Sequence, residues 1–565
     1  MAVEWEREIQ MTIRFLTRAR ASIGAIVAWR LAERDCGQGA SQSGSGLGHP
    51  APTTRHNLKS LRNPVRKDRV HAFGAQSNRM EKLTKAQTIR FFAAMMATLS
   101  ATPALADSSM DAGPVTVTLG GFIATEGVYR SRNETTDIGS SFSGVPFSSS
   151  PYGHLSESRL TARQSRLSVM AQGDVDSDTH LTFYNEMDFL GAAQTANSNE
   201  SNSYNLRIRN IYTTIDWDSL GLQLLAGQNW SLATANTHGI TPRNELVPTT
   251  IDAQYVVGFI WARQPQIRIT KNWNKEIWAA VSIENPATTF AGNLPTLPTG
   301  ITNDTTRVGS GQFNSGNSLS FNHIPDVIGK LAWEPMIDGA QPLHVEVYGQ
   351  YRDFYDRIYT AAVNGLSFPA SNQNADRAGG SVGGTITYTA IPKTLDLQIT
   401  GATGSGIGRY GSGQLPDVTY RPDGTLSPIQ ETTWMAGGTW HVTPLLDFYA
   451  YGGQEAEHRK LYNINNAIVG VGVPTLNEAA CVAADSTAVT NTGCGANIEA
   501  ENQIAAGVWW RAYQGKFGSF RLGLQYSYTH VIAFSGLNGT GATATYLHPN
   551  TDDSMVFTSI RYYPF

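Results

Sequence analysis

The feature that most narrows the fold is a two-residue alternation in which the polar partners are often fully charged. Leu343, Val345, Val347 and Tyr351 alternate with His344, Glu346, Gln350 and Arg352. Phe520, Leu522, Leu524, Tyr526 and Tyr528 alternate with Arg521, Gly523, Gln525, Ser527 and Thr529. Leu206, Ile208 and Tyr212 share one parity, and Arg207 and Arg209 take the other. Leu181, Phe183, Met187 and Phe189 alternate with Thr182, Tyr184, Glu186 and Asp188. A period of two marks strands with one apolar face. A soluble sandwich alternates too. Two observations favour a membrane barrel. The runs reach ~9–11 residues, the length a tilted strand needs to cross a bilayer. Aromatics gather at their ends, as in Trp509-Trp510 and Tyr562-Tyr563, which suits interfacial girdles.

Composition agrees. Only 16% of the 565 residues are charged, against ~25% in ordinary soluble domains. The longest strongly apolar run, Phe91–Leu99, is about half of the ~20 residues a spanning helix needs. The net charge of −4 hides a break. Residues 1–79 carry +7, residues 80–106 carry +2, and residues 107–565 carry −13. The middle piece reads as a secretory signal: a basic start (Lys82, Lys85, Arg90), the short apolar run, then Thr102-Pro103-Ala104-Leu105-Ala106 with an A-x-A site. Cleavage is expected before Asp107. A signal must stand near the start of the translated chain. Residues 1–79 are therefore expected to be an upstream extension outside the mature protein; the alternative is a genuine basic extension whose Trp5–Leu31 lies on a membrane.

The expected fold is an all-β, antiparallel transmembrane β-barrel over 107–565, with about 16 strands (18 possible). Long Gly/Ser/Asn/Thr-rich segments, such as 133–156, 192–203, 285–317 and 465–497, alternate with tight connections, such as 173–178 and 216–221. Outer-membrane barrels show this pattern, with long external loops and short periplasmic turns. The last strand is expected to pair with Val115–Tyr129 and close the barrel. A terminal Phe565 resembles the sorting signal of bacterial outer-membrane barrels. Cys481 and Cys494, with 12 residues between them, are expected to form a disulfide in an oxidising compartment.

Parity assigns the lumen. An arginine on the lipid face at mid-bilayer costs ~2–4 kcal/mol, so Arg207, Arg209 and Arg268 should face inward. Arg159, Arg163 and Arg166 join them if a bulge near Gln164 shifts the register. Such a row makes a positive field that concentrates anions, and the guanidinium fork suits carboxylates. The bland alternative is that these arginines pair with Glu186, Asp188, Glu276 and Glu346 and satisfy the wall. Gly227-Gln228-Asn229-Trp230-Ser231 opens a non-alternating stretch to Tyr255 that includes His238, Arg243 and Glu245. We read it as a loop folded into the lumen, with Trp230, His238, Arg243 and Glu245 at the constriction; the alternative is a surface loop. No catalytic or phosphate-binding motif is found. No cofactor or metal is expected, and the acidic body argues against nucleic acid. His344 is taken as a wall residue.

Several stretches together resemble the DcaP-like trimeric porins of Gram-negative outer membranes: Arg163-Gln164-Ser165-Arg166, Asn185-Glu186-Met187-Asp188-Phe189, Leu206-Arg207-Ile208-Arg209-Asn210-Ile211-Tyr212, Gly227-Gln228-Asn229-Trp230-Ser231 and Arg263-Gln264-Pro265-Gln266-Ile267-Arg268. The resemblance spans residues 159–270 and is looser beyond. It implies a 16-stranded homotrimer in outer-membrane lipid whose arginine-lined pore passes small anions such as dicarboxylates. That family can carry a periplasmic coiled coil before the barrel, whereas here only Asp107–Pro114 intervenes. The expected function is passive diffusion of small hydrophilic solutes, with anions favoured. The alternatives are a sugar-type porin with an aromatic track and an outer-membrane barrel enzyme.

Overall fold

A computed structural model describes residues 109–191, 205–291, 301–303, 322–360, 373–464, 467–483, 494–541 and 543–564. The signal segment 80–106, the extension 1–79 and Phe565 lie outside the described residues.

Sixteen antiparallel strands close on themselves. They are β1 (Val115–Arg130), β2 (Glu157–Thr161 and Arg166–Asp174), β3 (Thr179–Gly191), β4 (Asn205–Trp217), β5 (Leu222–Trp230), β6 (Arg263–Trp273), β7 (Ile277–Glu284) and β8 (Ile301–Asn303 and Asp326–Trp333). Then come β9 (Leu343–Thr360), β10 (Gln373–Ile391), β11 (Leu395–Ser405), β12 (Gln430–Thr443), β13 (Leu446–Glu457), β14 (Ile498–Gly515), β15 (Gly518–Ala533) and β16 (Asn550–Tyr563). Each pairs with its sequence neighbour, and β16 pairs with β1 from Ile123↔Tyr562 to Arg130↔Met555. Closure of the first strand on the last is what a sheet in lipid requires.

The alternation puts grease outside and charge inside. On β6, Ile267 and Ile269 are 56% and 52% exposed, while Arg268 between them is 2% exposed. Glu126, Arg130, Asp188, Lys330, Glu346 and Arg352 are buried on the inner side. Exposed apolar side chains on the outer face are Leu331, Val347, Val382, Ile399, Leu524 and Ile560. This inverted pattern is stable only with lipid around it.

Two of the register shifts re-aim side chains near the arginines. Glu126 faces Thr161 and Phe122 faces Arg166, so β2 carries one extra residue across 162–165. The expected shift near Gln164 is therefore an interruption in which Arg163 and Gln164 are both buried. On β4, Glu186 pairs with Asn210 and Met187 with Ile208, which leaves Arg209 as the extra residue of a bulge. That bulge corrects one parity. Tyr212 does not share the outer face of Leu206 and Ile208 but turns inward, 3% exposed, beside Tyr184.

Short turns join β2–β3, β4–β5, β6–β7, β10–β11, β12–β13 and β14–β15 at one end. Longer connections lie at the other, among them 131–156, 231–262, 406–429 and 458–497. Cys481 and Cys494 in the last of these are joined by a disulfide.

Candidate functional site

The site begins where β5 ends. Trp230 closes that strand and Ser231 opens a 231–262 loop whose side chains are mostly buried inside the barrel. Leu232, Ala233 and Ile240 pack on the inward faces of Trp278, Ala280, Ile328 and Tyr348. Ile251, Tyr255, Val256 and Phe259 pack on Met435, Tyr449, Tyr451, Trp509 and Phe557 from the other wall. The loop thus bridges the lumen, and side chains of many strands hold its backbone. Lys330 donates to the Thr234 carbonyl (2.7 Å), and Glu334 accepts from Gly239 N (2.8 Å). Gln525 accepts from Ile251 N (2.6 Å), Gln503 from Val257 N (3.1 Å) and Glu455 from Gly258 N (2.7 Å).

Close approach explains two glycines. Gly453 is an inward position on β13, and a Cβ there would lie 2.0 Å from the Val257 carbonyl. Gly258 itself has φ +92°, and its Cβ would lie 2.0 Å from the Trp434 carbonyl. We expect Gly258→Ala to unseat this part of the loop, at a local cost on the order of 1–3 kcal/mol, while the barrel still forms. Single-channel recording should then show a larger conductance than wild type; an unchanged conductance would mean that the loop does not set the passage.

The arginines meet the loop in a network rather than in an even row. Arg207 binds Asp188 with both arms of its fork (3.0 and 2.8 Å). Arg209 bonds to Glu186 (2.6 Å), Asp188 (3.0 Å) and the Tyr255 hydroxyl (3.0 Å). Arg166 lies 3.5 Å from Glu186 and over the Phe122 ring. Arg159 pairs with Glu157 on the same strand. Arg163 is held by Asp137 of the 131–156 loop. Arg268 is buried beneath the loop and donates to the Trp230 carbonyl (2.6 Å) and Gln266 (3.0 Å).

Of the predicted constriction residues, His238, Arg243 and Glu245 lie on the loop. Trp230 does not; it ends β5 and is buried against Tyr255 and Phe259. His238 is largely exposed, 3.6 Å from Glu334. Arg243 contacts Met170 and the Tyr184 ring, and Glu245 accepts from Asn229. His344 sits on the wall between Glu334 (2.8 Å) and Glu346 (3.1 Å).

Positive charge outlasts the pairing. Among the described residues, Arg243, Arg263, Arg268 and Arg521 have no carboxylate within ion-pair distance. Arg263 stacks over Trp230 and Trp261. Tyr255 registers the surplus. Burial alone would raise its phenol, but the guanidiniums of Arg209, Arg166 and Arg263 overcome that and hold it down at about 8. Tyr255 also has φ +70°, a left-handed conformation unusual for a bulky residue. Its bond to Arg209 and its aromatic neighbours keep it there.

Beside the loop lies a cavity of about 670 Å³, bordered by Pro342, Lys393 and Tyr563 at the short-turn end. Arg166, His238 and Glu245 border it, as do Arg511, Arg521 and Arg561 of the last three strands. Arg561 binds Glu126 (2.7 Å) between the rings of Phe122 and Trp509, and Arg521 lies on Tyr563 at 4.1 Å. Arg511 and Arg561 escape a reading centred on the early strands. Parity could have found Arg561, because Ile560 and Val556 fix the outward side of β16.

An apolar exterior, a charged interior and a loop laid across the lumen define a transmembrane β-barrel. The outer-membrane channel DcaP of Acinetobacter baumannii is similar, with a TM-score of 0.53 and 17% identity over 81% of this chain and 100% of that one. Salmonella typhi OmpF in complex with daunomycin (0.42, 12% identity, 80% and 99% covered) and Pseudomonas putida OprB (0.39, 10%, 79% and 94%) also match. At these identities the likeness to DcaP shows a shared fold. No family model and no curated protein matches the chain.

Proposed function

We propose that the chain is an outer-membrane porin of a Gram-negative bacterium, working as a homotrimer, through which small hydrophilic solutes diffuse passively. Its loop and arginines favour anionic solutes, carboxylates foremost. The observation that carries this reading is the local gathering of guanidiniums at Tyr255, where Arg209, Arg166 and Arg263 together hold the phenol down at about 8. In a narrow lumen with low-dielectric walls such a gathering raises the local anion concentration. An arginine fork can exchange a wall carboxylate for a solute carboxylate of the same geometry. Arg207 on Asp188, with its side chain 32% exposed, is poised for that exchange.

The test is the reversal potential of single channels in planar bilayers under a salt gradient. Anion selectivity that weakens as salt screens the fixed charge is the expected result. Cation selectivity would overturn the charge assignment, and neutral sugars passing faster than anions of equal size would favour an aromatic sugar track.

A further inference from the structure

The next two inward positions on β13 after Gly453 are Glu455 and Glu457. The register sets Glu455 opposite Glu501 of β14, and Glu457 opposite Glu431 of β12. Opposed positions hold their Cβ atoms ~4.5–5.5 Å apart. All four glutamates are at most 5% exposed. Among the described residues none has a Lys, Arg or His within ion-pair distance. Arg352 and Arg409, on the same 406–429 loop network, are engaged by Asp417 and Asp326. These positions lie beyond the apolar belt, since the outward residues beside them, Gln454 and Asn502, bond to each other (2.7 Å).

The quartet is the seat of two loop tips. Glu455 accepts from Gly258 N of the 231–262 loop (2.7 Å). It also accepts from Gly413 N (3.0 Å) and Ser412 Oγ (3.1 Å) of the 406–429 loop. Glu431 accepts from Ile407 N (3.1 Å). Glu501 presses on the same tip, because a Cβ on Gly413 would lie 2.2 Å from its Oε2. Both Glu501 oxygens are buried without a hydrogen-bond partner.

A void of about 10 Å³, bordered by Glu431, Glu455 and Thr433, lies at this seam. It is about the size of one water, and the buried Thr433 hydroxyl is also unpartnered. No three acidic or histidine side chains converge here to hold a metal, among the described residues. The other charged groups facing Glu501 and Glu431 are acidic: Glu134 from the 131–156 loop and Asp417 from the 406–429 loop. Burial itself pushes Glu134 up to about 8, against Arg130 and the Ser141 amide.

Four buried carboxylates side by side cannot all be ionised without a desolvation and repulsion penalty. With protons, Glu501 and Glu457, whose buried oxygens lack partners, become donors to the neighbouring carboxyl oxygens, while Glu455 and Glu431 go on accepting from the loop tips. We propose that this glutamate quartet is a proton-operated latch: with its protons it seats the tips of two inner loops on the wall, and on losing them it expels those tips and widens the passage. The sign is set by the acid. Burial and mutual repulsion favour the protonated form, and protons leave as pH rises, so the latch opens on the alkaline side.

The proposal rests on the lumen being a solute path, and two readouts separate its failure from the failure of that reading. Single-channel conductance of the whole protein is recorded from about pH 6 to 10. Wild type should rise roughly twofold on the alkaline side, and Glu457→Gln with Glu501→Gln should stay at the low value. The variant keeps Tyr255, so titration of that phenol is common to both. A flat wild-type profile, an equal rise in the variant, or restoration of the low conductance by added Ca²⁺ at high pH would overturn it; the last would mark a cation site.

Amide exchange in detergent needs no conduction. At the same alkaline pH, residues 254–262 and 406–413 should exchange faster in wild type than in the double variant, and equal rates would overturn the latch. Absence of channels at every pH would count against the porin reading and leave exchange to judge the latch.

Discussion

Replacing Arg166 and Arg521 together by glutamate should invert the ion preference of the channel. Both border the cavity. Arg166 is only loosely held by Glu186 at 3.5 Å, and Arg521 rests on the Tyr563 ring with no carboxylate beside it. Arg521 lies outside the Asp188–Arg209–Tyr255 knot that anchors the loop, whereas Arg166 borders it through Glu186 and faces Asp188 across the strand pair, so the folded-barrel gel mobility of the variant is checked alongside. Each substitution changes the local charge by two. At separations of several ångströms in a partly hydrated lumen, this is worth on the order of 1–2 kcal/mol to a passing ion, about a tenfold change in relative permeability. The reversal potential should change sign in the double variant and keep its sign with lysine at both positions. Unchanged selectivity would place the controlling charge elsewhere, with Arg263 and Arg268 next in line.

The largest stability loss is expected at Arg352. Its guanidinium is fully buried and binds Asp326 (3.2 Å), Asp417 (2.8 Å) and the carbonyls of Gly406 and Ala287, with its flat face over Phe354. Arg352→Met keeps the length and removes the charge, leaving buried Asp417 without its cation and Asp326 with Arg409 alone. Losing one partner of such a network costs ~3–5 kcal/mol. Asp417 also accepts from Thr289 N and Arg409 N, so its displacement would loosen the 406–429 loop. The variant should lose its folded-barrel gel mobility at a lower temperature than wild type, with protease cleavage appearing first within 406–429. Arg352→Lys, which keeps the charge but not the fork, should fall between the two. A variant as heat-stable as wild type would show that the carboxylates find protons or water at little cost.

The barrel was legible because one face must meet lipid. That demand writes itself into sequence as Ile267, Ile269, Leu524 and Ile560, each flanked by polar residues. It fails where the backbone slips. Tyr212 follows the bulge at Arg209, and nothing local in Arg207-Ile208-Arg209-Asn210 announces the extra residue. The loop was legible as a break in alternation followed by Pro242, Pro248 and charged residues. Its partners were not, since Lys330, Glu455, Gln503 and Gln525 are brought to it only by barrel closure. Arginine pairing was half visible: Arg207 with Asp188 follows from parity, but the hold of Asp137 on Arg163 comes from a connection with no period to read.

The attachment of the 231–262 loop has a consequence for assembly. Its backbone is tied to Gln525 across 274 residues of chain and to Gln503 across 246. Contacts so distant in sequence form late, because long segments must be ordered first. The wall must therefore be complete before its own obstruction can settle. A newly closed barrel is expected to pass through an unobstructed stage that ends when the loop finds Gln503 and Gln525.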